Sequence, residues 1–167
     1  MDRAAPGPPR ATLVIVCGLP GSGKTTAATR LARERGAVRL CADEWMQQLR
    51  MSLWDVEARE GVEQLQHGLA LELLEVRCSV VVEWGTWARS QRDGLREDAR
   101  ARGALVELHF LDAPDDELWR RIATRGRERP AITREQIGTW RELFEVPTEA
   151  ELASYDVAHP PVRPTPS

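Results

Sequence analysis

A chain of 167 residues with 42% hydrophobic content has the length and apolar material for one domain around one core. Its net charge of −3 and pI near 5.7 exclude the strongly basic profile of a general nucleic-acid binder, while leaving room for a local arginine cluster that holds a phosphorylated substrate. Cys17, Cys41 and Cys78 sit in or beside apolar runs, at neither metal-ligand spacing nor an even disulfide set, and read as buried reduced thiols. No apolar run reaches the roughly 18 residues of a membrane span, and residues 1–10 lack the hydrophobic stretch of a signal peptide, so a cytoplasmic protein with no membrane partner is expected.

Prolines crowd both ends, predicting disordered tails over 1–10 and 159–167 around a single domain, 11–158. The first element is Thr12-Leu13-Val14-Ile15-Val16-Cys17, apolar without alternation, as suits a central parallel strand covered on both faces. It runs directly into Gly18-Leu19-Pro20-Gly21-Ser22-Gly23-Lys24-Thr25. From Lys24 to Arg35 the small and apolar residues Ala27, Ala28, Leu31 and Ala32 recur at helical spacing, closed by Gly36.

Val38 to Cys41 is a second short strand leading to Asp43, and helical patterns follow over Glu44 to Leu53 and Val56 to Arg77. The third strand is Ser79 to Glu83, and a polar helix spans about Ser90 to Arg102. Leu105 to Leu111 is the fourth strand. Asp112-Ala113-Pro114 opens a helix that enters a basic, Gly/Pro-containing segment, with the stretch of about 120–133 expected to form a lid. A further helix is expected over Thr133 to Phe144 and a short fifth strand over Tyr155 to Ala158. Such alternation predicts an α/β fold, a three-layer α/β/α sandwich of the P-loop NTPase kind, with about five parallel strands, a helical lid, and its ligand at the strands' carboxyl ends.

The pattern G-x-x-x-x-G-K-T between a strand and a helix is a phosphate cradle. Its glycines let backbone N–H groups curl around phosphates, and the helix N-terminus points the same way. Gly18, Leu19, Pro20, Gly21, Ser22, Gly23, Lys24, Thr25 and Thr26 are therefore the expected ATP-binding residues, with Lys24 reaching the β- and γ-phosphates and the Thr25 hydroxyl placed for Mg²⁺. Of the 23 basic residues only Lys24 is lysine, the compact ammonium this position uses. Asparagine is absent from the chain, which excludes a guanine-reading Asn-Lys-x-Asp element and leaves ATP as the nucleotide.

The other strand ends distinguish among P-loop activities. Glu83 closes the third strand, where an acidic residue orients Mg²⁺ or its water, unless it is only a solvated strand-end carboxylate. Asp43 follows the second strand, where it aligns and deprotonates an acceptor hydroxyl or serves as a helix N-cap, two roles that are compatible. Arg121 and Arg125, four apart, share one helix face and are expected to place positive charge over the γ-phosphate, the alternative being a solvated basic face. Arg89 and Arg92, beside the Trp84-Gly85-Thr86-Trp87 turn, are candidate acceptor contacts. Trp84 and Trp87, with Trp45 and Trp54, either wall an acceptor pocket or pack between lid and core. His67, His109 and His159 are scattered, with no spacing that suggests a metal site, and are assigned no role.

On these motifs the chain resembles the small P-loop kinases of the zeta-toxin and polynucleotide-kinase-like group, often described as AAA-family ATPases. The resemblance runs over about Thr12 to Leu152. It rests on the Gly18 to Thr25 loop, Asp43, Glu83-Trp84-Gly85 with Arg89 and Arg92, and Leu111-Asp112-Ala113-Pro114 before Arg121 and Arg125. It implies that Asp43 is the acceptor's general base and that Arg121 and Arg125 belong to the lid. Polynucleotide 5′-kinases place an arginine three residues after that Asp, where this chain has Met46, which favours a small-molecule hydroxyl acceptor over nucleic acid. A nucleotide-timed regulator acting on a protein partner is the reading from another class, and a polynucleotide kinase the third.

Overall fold

The computed structural model describes residues 10–160, so the tails expected at 1–10 and 159–167 lie outside the described residues except for Arg10, His159 and Pro160. In chain order the elements are β1 Thr12–Cys17, α1 Lys24–Arg35, β2 Val38–Leu40, α2 Ala42–Gln48, α3 Val56–Glu75, β3 Val80–Val82, α4 Arg89–Ala101, β4 Leu105–Phe110, α5 Asp115–Arg125, α6 Arg134–Leu143, α7 Glu149–Leu152 and β5 Val157–His159. All strand pairings are parallel and the sheet order is β2-β3-β1-β4-β5. The expected α/β fold is thus present, with strand and helix alternating through crossovers as the sequence predicts.

The unalternated apolar strands are explained by their two covers. Val14 and Val16 of β1, with Val81 of β3, face α1 through Ala28 and Leu31. The neighbouring positions Leu13, Ile15, Val80 and Val82 join a larger core with Val62, Ala70 and Leu74 of α3 and Leu95 and Ala99 of α4. Both faces of the central strands β1 and β3 are therefore buried, so period-two patterning is lost there. Because β3 is the direct neighbour of β1, the strand ends carrying Gly18 and Glu83 lie side by side at the carboxyl edge of the sheet.

Three departures from the sequence reading affect the site. Helix α2 starts at Ala42 and ends at Gln48, earlier at both ends than the expected 44–53, and Arg50 at φ 58° breaks the path. Asp43 therefore lies inside the first turn, while Cys41 is the N-cap and gives no side-chain cap bond. The four-residue α7, capped by Thr148, was not expected, because one turn leaves no periodic signature. Strand β5 ends on His159 rather than Ala158, drawing a residue assigned to the tail into the sheet.

Candidate functional site

The loop after β1 is shaped by close approach. Gly18 sits at φ 145°, and a Cβ there would lie 2.2 Å from the Leu111 carbonyl oxygen at the end of β4. Gly21, at φ 81°, is also closely approached, since its Cβ would lie 2.7 Å from the Leu118 carbonyl oxygen of α5. Only glycine fits either position. Helix α1 then begins with no side-chain cap and no acidic residue in its first turn, so its N–H groups and positive dipole end are left facing the loop.

Lys24 is half-buried and its ammonium donates to the carbonyls of Gly18 at 2.8 Å and Leu19 at 2.9 Å. Desolvation by burial lowers its pKa to about 8, with Asp43 and Glu83 pulling upward and Arg125 adding to the depression. These influences have a geometric meaning: Asp43, Glu83 and Arg125, chosen from three distant stretches of sequence, all lie within electrostatic reach of the one lysine. Thr25 is half-buried and Thr26 exposed on the first turn of α1.

Glu83 is buried, and burial raises its pKa against the opposing effects of Cys41 and Arg39. Arg39 of β2 donates to Glu83 Oε1 at 2.5 Å and, through its other terminal nitrogen, to Glu44 at 2.6 Å. A single guanidinium thus sets the rotamer of Glu83. Glu83 Oε2 and Ser22 Oγ are both buried without a hydrogen-bond partner among the described residues. A carboxylate oxygen and a loop hydroxyl left unpaired beside a phosphate cradle are the donor types a hard cation takes.

In the first turn of α2, Asp43 is half-exposed and its Oδ1 accepts from Arg59 of α3 at 2.6 Å. Arg59 also donates to the Leu53 carbonyl, which fixes its reach. Glu63, one turn further along α3, is half-buried, with its pKa raised by burial despite Arg59 nearby. Neither residue is flagged by any short motif, though an i,i+4 charged pair beside apolar neighbours on a buried helix was the available signal.

Two of the expected acceptor contacts are corrected. Arg92 is completely buried: its guanidinium donates to Glu151 at 2.6 and 3.0 Å and to the carbonyls of Thr86, Trp87 and Glu145. It is a brace inside the fold with no face toward a substrate, and its partner is a buried carboxylate on α7, an element without a periodic signature. Trp84 is likewise in the core, with its indole N–H donating to Gln66 Oε1 at 2.6 Å. Arg89 remains exposed, paired with Asp93 on its own helix.

Trp87 is half-buried and stands in a row of indoles, 5.9 Å from Trp140 of α6, which is 6.2 Å from Trp54. Trp54 also donates to the Pro130 carbonyl at 3.1 Å, tying the α2–α3 connection to the segment after α5. In that region Arg121 pairs with Glu117 and donates to the Gly21 carbonyl at 3.2 Å, while Arg125 pairs with Glu128 at 2.5 Å. The arginine-bearing part of α5 therefore touches the loop after β1 directly. No helix among the described residues is long and apolar enough to cross a membrane.

Comparison with known proteins agrees with this geometry. Residues 13–147 match the family profile described as an AAA domain. The fold is similar to that of a chain in the Pnkp1/Rnl/Hen1 RNA repair complex, at TM-score 0.70 and 20% identity over 90% of this chain. This chain spans only 48% of that one. It is also similar to a putative kinase from Chloroflexus aurantiacus, at TM-score 0.69 and 20% identity, covering 91% of this chain and 84% of the other. A gluconokinase from Sinorhizobium meliloti aligns at TM-score 0.58 and 24% identity, covering 93% and 85%. No curated protein sequence matches.

Proposed function

Since the chain belongs to the AAA domain family and has a P-loop kinase-like fold, we propose that it moves the γ-phosphoryl group of ATP to a hydroxyl of a small-molecule acceptor. The observation that carries this reading is that Asp43 and Glu83, which follow the neighbouring strands β2 and β3, and Arg125 of α5 all act electrostatically on the Lys24 ammonium. A switch or motor needs the nucleotide half of that set. A carboxylate across the cleft with an oxygen available to a hydroxyl is what a transferase adds.

Loop residues 18–26 bind the nucleotide phosphates, with Lys24 on the transferred group. Thr25 and Glu83 are the side chains that would hold Mg²⁺, which when bound neutralises phosphate charge. Asp43 keeps Oδ1 on Arg59 and presents Oδ2 to the acceptor. It accepts the hydroxyl proton as the acceptor oxygen bonds to phosphorus, the bond to the bridging oxygen breaks, and ADP leaves with the electron pair. Arg121 and Arg125 neutralise charge developing on the phosphoryl oxygens, and the segment 120–133 closes as a lid that excludes water. Trp87 and Arg89 stand on the acceptor side.

The test is ADP release from Mg-ATP across a panel of sugars, other hydroxyl metabolites, antibiotics and 5′-hydroxyl oligonucleotides, comparing wild type with Asp43→Asn. The expected result is stimulation by a small hydroxyl compound that Asp43→Asn reduces by about 10²–10⁴-fold, with ATP affinity within about twofold of wild type. Undiminished turnover in Asp43→Asn removes the proposed base. Stimulation by oligonucleotides alone would replace the small-molecule acceptor with nucleic acid.

A further inference from the structure

The face of the sheet covered by α1 is apolar at β1 and β3, yet at its β4–β5 side it carries three titratable side chains. Glu107 and His109 are two apart on β4 and so share a face. His159 of β5 is the register partner of His109, which places it on that face too. The two imidazoles stack with centroids 4.4 Å apart, and His109 Nε2 lies 3.4 Å from Glu107 Oε2. One ligand-type atom from each of the three residues falls within 4.8 Å of the other two.

We propose that Glu107, His109 and His159 bind a borderline divalent cation of the Zn²⁺ class, which clasps the edge strand β5 onto β4. Two imidazoles and one carboxylate are a donor set such ions prefer over Mg²⁺ or Ca²⁺, and they leave a fourth position for water. Ligand atoms around a tetrahedral Zn²⁺ sit about 3.3 Å apart, given bonds of about 2.0–2.1 Å. The Glu107–His109 separation already matches that spacing. His159 is exposed at the end of a three-residue edge strand, so the remaining approach costs little backbone rearrangement.

Second contacts suit the same role. Arg35 at the end of α1 donates to Glu107 Oε1 at 2.5 Å, which fixes the carboxylate while leaving Oε2 toward His109. Orienting contacts of this kind commonly accompany a metal-bound carboxylate. The contrast with Cys41, Glu44 and Glu83, the other such cluster among the described residues, is informative. There Arg39 donates to both carboxylates, no imidazole is present, and the Glu83 oxygen left free is the one assigned above to Mg²⁺.

The experiment uses the full-length chain without a histidine tag, stripped with a chelator, dialysed against limiting Zn²⁺ and assayed for bound metal. Co²⁺ substitution is followed by visible absorption in parallel. Wild type should retain one equivalent of Zn²⁺, give the intense spectrum of a tetrahedral Co²⁺ site, and melt at a higher temperature with Zn²⁺ than without. His159→Ala, at an exposed residue, should lose all three signals while still binding ATP, and Arg35→Gln should bind Zn²⁺ about 10–100-fold more weakly. His109→Ala is a second variant. Failure of wild type to retain Zn²⁺, or equal retention by His159→Ala, overturns the proposal. Because the readouts are metal content and spectrum, neither result depends on phosphoryl transfer.

Discussion

A single run of residues, 18–26, supplies nearly every expected nucleotide contact, whereas the proposed acceptor side draws Asp43 from α2 and Trp87 from the loop after β3, backed by Arg59 of α3 and Trp140 of α6. The first is shaped by local backbone, with Gly18 and Gly21 pressed against the carbonyls of Leu111 and Leu118. The second exists only once four elements have packed. A side built this way is as secure as the contacts behind it, and those include a fully buried ion pair. Substitutions on the two sides should therefore fail differently: the nucleotide side through affinity, the acceptor side through stability.

The strongest way to break that contrast is Arg92→Ala. Removing this guanidinium strands the Glu151 carboxylate, whose side chain is 1% exposed, and frees three carbonyls. A loss of about 3–5 kcal/mol in urea unfolding is expected, and below the unfolding transition nucleotide affinity should hold. A loss under about 1 kcal/mol would show that the acceptor side does not depend on its brace.

A smaller effect tests the nucleotide side. Lys24 in the free protein loses its proton near pH 8, and phosphate binding favours the charged form. Apparent ATP affinity should therefore be level below about pH 8 and fall by up to about tenfold per pH unit above it. Calorimetric titration across pH 7 to 9.5 would check this, and Lys24→Ala should lack the slope.

The smallest expected change is at the indole row. Trp54→Phe keeps an aromatic ring but loses the bond to the Pro130 carbonyl, costing about 0.5–1.5 kcal/mol. A melting temperature lowered by a few degrees with unchanged ATP affinity would sharpen the division between the two sides. A drop in affinity would show that this wall also supports the nucleotide.

The same division explains what could be read from the sequence. Strand β1, its loop and α1 were legible because motif, strand and helix are contiguous and each local preference agrees. Asp43 and Glu83 were legible as strand-end carboxylates, and the parallel sheet makes their ends neighbours. Arg92 was misread because its partner lies 59 residues away on a one-turn helix. Trp84 was misread because a tryptophan at a strand end looks alike whether it faces a cleft or the core. His109 and His159 appeared unrelated, since only the β4–β5 register makes them neighbours.

The Arg92 brace also limits how this fold can diversify. One guanidinium ties together the turn that carries Trp87, the chain at Glu145 and the helix α7 that holds Glu151. The loop after β3 is consequently not a cassette that can be exchanged for a relative's to alter the acceptor. A graft there must import residues 145–151 with it, and a truncation before α7 would unseat a wall of the cleft more than 50 positions upstream.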